Sequence, residues 1–416
     1  MLVGDEAMNW PSTLPRFLWG AATSSHQIEG NTFNDWTRWE DAGHVVNRER
    51  SGRSTNHFAN PEADLILFSQ LGWNAYRFSL EWSRIEPKPG EFSIAAMKRY
   101  RAIVDTLRRL RIEPLATLHH FTLPQWFADH GGFFASDAEA HFHDYVSYVL
   151  DHLGDAVTLW ITINEPMVYT VMGYAEGSWP PGERNLVKGW HLTNRLMGLH
   201  QKTYEQIKQR FPNALVGLAH HLAYFMPYSN FSLGDRALAR VIDRVFNWRF
   251  IDKVQNHQDF VGINYYTRQW VSARRGLIPI MAKPGAPVTQ MGWEVFPEGL
   301  YHMLQHLKFY RKPILITENG IATNEDSDRQ HYLVSHLQQI AKAQSDAIDV
   351  RGYFHWSALD NFEWAEGYRP RFGLIDVNYE TLKRSPRPSA MLYRKIIAIN
   401  QEHLGDHPII VPSALQ

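Results

Sequence analysis

Short apolar, β-branched or aromatic runs alternate along this chain with stretches of helical periodicity. Eight runs read as strands: 17–24 (FLWGAATS), 74–80 (NAYRFSL), 113–120 (EPLATLHH), 159–166 (LWITINEP), 214–221 (ALVGLAHH), 259–266 (DFVGINYY), 313–320 (PILITENG) and 350–357 (VRGYFHWS). Between them, 95–110 places Met97, Tyr100, Ile103, Val104 and Leu107 on one helical face. The stretch 297–310 opens with Pro-Glu-Gly and continues Leu300, Met303, Leu304, Leu307. Residues 193–211 and 328–344 follow the same rule. Strands alternating with helices imply a parallel sheet, and eight such units predict a closed (β/α)8 TIM barrel. The expected class is α/β, with residues 1–416 as one catalytic domain. A doubly wound open sheet is disfavoured, because no G-x-G-x-x-G turn follows the first run. The Gly- and Pro-rich stretch 276–292 lacks helical period and reads as a long loop at the mouth of the site.

Composition narrows the function. Of 416 residues, 44% are apolar, which suits a large buried core. Lys plus Arg is 42 against 43 Asp plus Glu, so no global basic field favours nucleic acid or an anionic membrane. Cysteine is absent, which removes thiol nucleophiles, disulfides and thiolate metal sites. No run of about 18 apolar residues predicts a membrane-spanning helix. The N-terminus MLVGDEAMNW carries two acids and no apolar block, so no signal peptide and a cytoplasmic location are expected. Fifteen Trp fit an aromatic-rich core at least as well as a sugar site.

Polar residues gather at the C-terminal ends of the strands, where a barrel converges on one pocket. They include His26, Gln27 and Glu29 behind the first strand, Arg77, His119-His120, Asn164-Glu165, Asn264-Tyr265-Tyr266, Glu318-Asn319 and Trp356-Ser357. One strand-end Glu alone would as readily salt-bridge locally or cap a helix. Two of them, Glu165 and Glu318, on a face shared with Arg77, His120 and Tyr266, favour chemistry. Glycoside cleavage needs such a pair: one carboxyl protonated, although free Glu titrates at about 4.3, the other ionised.

The motifs TINEP (162–166), ITENG (316–320), ATSSHQIEG (22–30), YRFSLEWSRIEP (76–87) and HWSALDNFEWAEGYRPRFGL (355–374) resemble those of the glycoside hydrolase family 1 β-glycosidases, in family order over nearly the whole chain. The resemblance implies a retaining β-glucosidase acting on β-glucosides and cello-oligosaccharides, with some β-galactosidase or β-fucosidase activity. It implies Glu318 as nucleophile, Glu165 as acid/base and Asn164 as the holder of the sugar 2-hydroxyl. Gln27, His120, Glu363 and Trp364 would bind the nonreducing sugar, with Trp356 as its stacking floor. Arg77, Asn264 and Tyr266 would surround the nucleophile, and Trp293 would line the aglycone side. The implied partner is a small carbohydrate, with no cofactor and no metal; homo-oligomerisation is left open.

The chain departs from the family at Phe121, which keeps an apolar wall but loses an indole N–H, and at Met167 after NEP. Glu165 and Glu318 stand closer in sequence than in the family, which implies trimmed loops and a more open aglycone entrance. Glu165 argues against a thioglucosidase, and Glu363 against a 6-phosphoglycosidase. A sugar-binding pseudoenzyme would lack one carboxyl, and both are present. A metal-dependent barrel hydrolase would show H-x-H after the first strand, where Ser25-His26-Gln27 stands. The pairs His119-His120 and His220-His221 each offer one inward ring, since adjacent strand residues face opposite ways. With His141-Phe-His143, they read as structural or sugar-binding. Asp360-Asn361 reads as a loop organiser and Lys383-Arg384 as solvated surface charge.

Overall fold

The eight apolar runs form eight parallel strands in the computed structural model, which describes residues 10–402 and 408–411. They are β1 (Leu18–Ala22), β2 (Ala75–Ser79), β3 (Glu113–His119), β4 (Leu159–Asn164), β5 (Leu215–Pro227), β6 (Phe260–Val271), β7 (Ile314–Asn319) and β8 (Val350–Trp356). Each pairs with the next, and β1 pairs with β8, which closes the barrel. The (β/α)8 expectation holds. The reading of the N-terminus lies outside the described residues, except at Trp10.

Alternation along each strand builds two cores. Leu18, Leu159 and Ile161 point into the barrel with Leu115, Phe260 and Phe354. Trp19 and Trp160 point outward, against the helices. Burying each such apolar side chain stabilises the fold by about 1.5–3 kcal/mol. A one-residue slip of a strand would exchange the two faces, so the register is strongly specified.

The helices follow the predicted stripes with small shifts at their ends. Ile94–Arg109 buries Met97, Tyr100, Ile103, Val104 and Leu107, and Ser93 caps it by accepting from the Ala96 N–H at 3.2 Å. Pro297–Leu307 starts at Pro, whose missing N–H costs nothing there. The helix expected over 193–211 starts earlier, Leu186–Arg210, because the Asn185 side chain caps about two extra turns through the Lys188 N–H.

Two readings are corrected. β5 and β6 continue past the barrel and stay paired as far as Pro227 and Val271, so the sixth strand ends later than Tyr266. Arg384 is not a solvated charge: its Nε and Nη2 donate to both oxygens of buried Asp64 at 2.9 and 3.0 Å. No helix among the described residues is long and apolar enough to cross a membrane.

The barrel ladder is not regular at its catalytic rim. Register shifts fall between Ile161 and Asn164, between Ile263 and Asn264, and between Ile316 and Asn319. Such bulges re-aim side chains, and each of these lies beside one of the predicted site residues.

Candidate active site

Arg77, in the middle of β2, is fully buried and bonds across to β4 and β7. Its Nη1 donates to Glu318 Oε1 at 2.5 Å and to the Thr317 carbonyl at 3.1 Å. Its Nη2 donates to Asn164 Oδ1 at 2.6 Å. The second Glu318 oxygen accepts from the Tyr266 hydroxyl at 2.6 Å. Both oxygens of Glu318 therefore carry a fixed donor, one of them charged. Behind it, Gly320 is obligatory: a Cβ there would lie 1.7 Å from the Trp356 carbonyl oxygen.

Glu165 follows β4 with a left-handed backbone, φ 42°. Its Oε1 accepts from Asn264 Nδ2 at 2.8 Å and meets His221 Nδ1 at 3.1 Å. Asn264 also donates to Asn164 Oδ1 at 3.2 Å and accepts from Thr317 Oγ1 at 2.6 Å. Asn264 pairs with Glu318 in the ladder, while its side-chain amide reaches Glu165.

The residues expected to bind the sugar gather beside these two acids. Gln27 Nε2 donates to Glu363 Oε2 at 3.1 Å, to Asn361 Oδ1 at 3.0 Å and to the Phe362 carbonyl at 2.8 Å. Asn164 Nδ2 donates to His120 Nε2 at 3.1 Å, which assigns the ring proton to Nδ1, and that buried Nδ1 has no partner. His120 lies 6.1 Å from Trp356 with the rings nearly parallel. Trp364 stacks on His26 at 5.4 Å and meets Phe121 edge-on at 5.3 Å. Phe121 is buried against Trp179 at 4.9 Å, which is the apolar wall its sequence position implied. Trp293 sits on the loop after β6, 5.4 Å from Tyr266.

The chain is similar to known proteins in sequence and fold. A family model described as glycosyl hydrolase family 1 matches residues 11–255 and 245–402. The chain belongs to that family. The 1,4-β-D-glucan glucohydrolase of Thermotoga neapolitana is 31% identical, over 92% of this chain and 98% of that protein. The solved β-glycosidase from Pyrococcus horikoshii is 40% identical with a TM-score of 0.86, over 93% of this chain and 94% of that one. The β-glucosidase from Thermotoga maritima in complex with glucoimidazole is 30% identical with a TM-score of 0.87, over 92% and 98%.

In this family 1 glycoside hydrolase the pocket gathers three acids around one guanidinium. Burial, opposed by Arg77 and aided by the nearby Glu165, pushes the Glu318 carboxyl up to about 7. Burial pushes Glu363 up to about 8, with Gln27 opposing and the other two acids adding to it. That favours the protonated form of Glu363, which can donate as well as accept. Burial, with Arg77 beside it, holds His120 well below the ordinary imidazole range, so its ring is neutral.

Each histidine pair divides as alternation required. His120 and His221 face the pocket, whereas His119 packs against Phe133 and Tyr169, and His220 against Phe250. His221 was weighed in the sequence only as half of a possible metal pair; its inward parity was the signal that could have placed it beside Glu165. Among the described residues, one group of three could hold a cation: His130, Asp137 and His141, within 4.8 Å of one another. Asp137 already bonds His130 at 2.8 Å there, on the surface.

Proposed function

We propose that this glycoside hydrolase is a retaining β-glucosidase, a single catalytic domain that removes terminal nonreducing β-D-glucosyl residues from β-glucosides and cello-oligosaccharides. One observation carries the reading: the two neighbouring carboxyls have different fixed partners. Glu318 is clamped between Arg77 and Tyr266. Glu165 has an amide and an imidazole and no guanidinium or ammonium among the described residues.

The clamp favours the ionised form of Glu318 and aims it, which suits a nucleophile. Glu165, without a fixed cation, can hold a proton for the departing oxygen. In the first step Glu318 attacks the anomeric carbon, the glycosidic C–O bond breaks, and the Glu165 proton passes to the leaving oxygen. In the second, water attacks the glycosyl–Glu318 ester, gives its proton to Glu165, and frees Glu318. Two inversions at one carbon give retention.

Recognition of the sugar falls to the neighbours. The unpartnered His120 Nδ1–H offers a donor to one hydroxyl, and Gln27 with protonated Glu363 serves a vicinal pair. Trp356 offers a flat face for the ring. Asn164, held by Arg77, is set to contact the 2-hydroxyl. The names of the relatives, a glucan glucohydrolase and a β-glucosidase, support a glucosyl substrate. Arg77 is committed to Glu318 and Asn164 and does not serve a 6-phosphate, so a neutral sugar is favoured. Because galactose differs from glucose only at C4, and fucose at C4 and C6, slower turnover of their β-glycosides goes with the proposal. Trp293 beside Tyr266 would line the aglycone side.

The test is proton NMR of fresh product from a β-glucoside, beside a p-nitrophenyl panel of glucoside, galactoside, fucoside, mannoside and 6-phosphoglucoside. The β-anomer should form first and the glucoside should be preferred. Initial release of the α-anomer would end the retaining assignment.

A further inference from the structure

His221 stands midway along β5, level in the ladder with Asn264. Its Nδ1 lies 3.1 Å from Glu165 Oε1, the same oxygen that accepts from Asn264 Nδ2 at 2.8 Å. The Asn264 amide is fixed as a donor toward Glu165, because its Oδ1 takes the Thr317 hydroxyl. The ring of His221 is itself held: it lies nearly parallel to Tyr266 at 6.0 Å and edge-on to Phe246 at 6.0 Å. Its side chain is only 13% exposed.

We propose that His221 is a positioning residue for the acid step, donating from Nδ1 to Glu165 Oε1 so that, with Asn264, it reserves the proton of the acid for Oε2. The proposal rests on the acid/base reading of Glu165. Its physics is simple. A protonated carboxyl can carry its hydrogen on either oxygen, and only the one facing the leaving group is useful. An oxygen that already accepts two N–H bonds cannot also carry a hydrogen without losing one of them. Two donors on Oε1 therefore leave Oε2 as the hydroxyl oxygen. In the second step the same donors support the carboxylate that takes up the proton of water. Tyr266 links the arrangement to the other acid: one face of its ring backs His221 while its hydroxyl serves Glu318.

The inference is read in leaving-group dependence. A 2,4-dinitrophenyl glucoside departs with little help from an acid, whereas phenyl and alkyl glucosides need the proton. With His221→Phe, the loss of kcat/KM should be about tenfold to a hundredfold greater for phenyl β-glucoside than for the dinitrophenyl compound, the scale of one charge-assisted hydrogen bond. His221→Asn should recover most of that difference, because Asn Nδ2 stands as many bonds from Cα as His Nδ1. A purely structural role for His221 would lower kcat/KM equally for both substrates, or would not be rescued by Asn, and either result overturns the proposal. Glu165→Ala is measured alongside. If that variant shows no leaving-group dependence, the acid assignment itself fails; if it does and His221→Phe does not, only the role of His221 falls.

Discussion

The guanidinium of Arg77 lies 2.5 Å from the Glu318 carboxylate, with both side chains shut inside the barrel. Breaking a buried pair by removing one partner leaves an uncompensated charge and costs about 3–5 kcal/mol. Arg77→Met should lower thermal stability by an amount of that order. It should also lower kcat/KM by roughly a hundredfold or more, the scale of losing one preorganised donor at a reacting group. Adding Glu318→Gln to Arg77→Met should restore part of the stability and none of the activity, as thermal unfolding and a p-nitrophenyl glucoside assay would report. Equal stability of Arg77→Met and the wild type would refute the argument.

Removing either acid should leave a chemically distinct enzyme. Glu318→Ala loses the covalent step, and activity should fall by something on the order of a million, as when other nucleophiles are deleted. Azide entering the vacated space attacks from the side of Glu318 and should yield the α-glycosyl azide. Glu165→Ala should lose about a hundredfold to ten-thousandfold on poor leaving groups. With an activated glucoside, azide there should intercept the glycosyl-enzyme and yield the β-azide. Product NMR distinguishes the two, and exchanged outcomes would reverse the assigned roles.

The acid limb of activity follows from the raised Glu318 carboxyl. It must be ionised to attack, and burial with Glu165 pushes it up to about 7. The kcat/KM profile, which reports the free enzyme, should therefore decline as pH falls through about 7. In Glu165→Gln the repelling acid is gone, so the limb should move to lower pH when read on dinitrophenyl glucoside. A limb that stays in place would show that burial alone raises Glu318.

Stability should pass through a maximum near pH 6.5. Burial lowers His119, His200, His336 and His355 from 6.5 to about 3. Their depressed folded values mean that acid protonates the unfolded chain first, so stability drains away as pH falls from 6.5 toward 3. Each such group contributes about 1.4 kcal/mol per pH unit. Glu318 and Glu363, raised to about 7 and 8, act in the opposite sense: the folded state gains protons as pH falls through those values, and stability rises. Below 6.5 these four histidines, joined by His220, which burial lowers to about 4, outnumber Glu318, Glu363 and Asp35, the last raised by burial to about 7. Thermal midpoints measured from pH 8.5 to 4 would test this, and a steady rise down to pH 5 would contradict it.

The strands were legible in the sequence because each is a contiguous apolar run ending in polar residues, and the rim pocket followed from where those ends converge. Inward placement of His120 and His221 needed only alternation. The sequence did not reveal that β5 and β6 run on beyond the barrel, because Tyr224, Phe225 and Trp270 suit a rim loop as well as a strand. Nor could it place the Asn264 amide on Glu165, which depends on a register shift after Ile263. Phe121, Glu165 and Trp364 adopt φ of 72°, 42° and 47°, a conformation whose side-chain cost is of order 1–3 kcal/mol. No propensity predicts a non-glycine residue there; surrounding packing imposes it. Arg384 looked solvated because its partner, Asp64, lies 320 positions away.

The slipped ladder between Ile161 and Asn164, followed by the left-handed peptide at Glu165, frees the rim from the in-and-out rhythm of the strand. Asn164 and Glu165 are consecutive, and in an unbroken strand one of them would face the helices. Instead a single stretch of chain delivers both to the substrate. Lengthening or shortening β4 by one residue would strip the pocket of both together, so this short segment should be far less tolerant of insertion than the exposed loop 276–292.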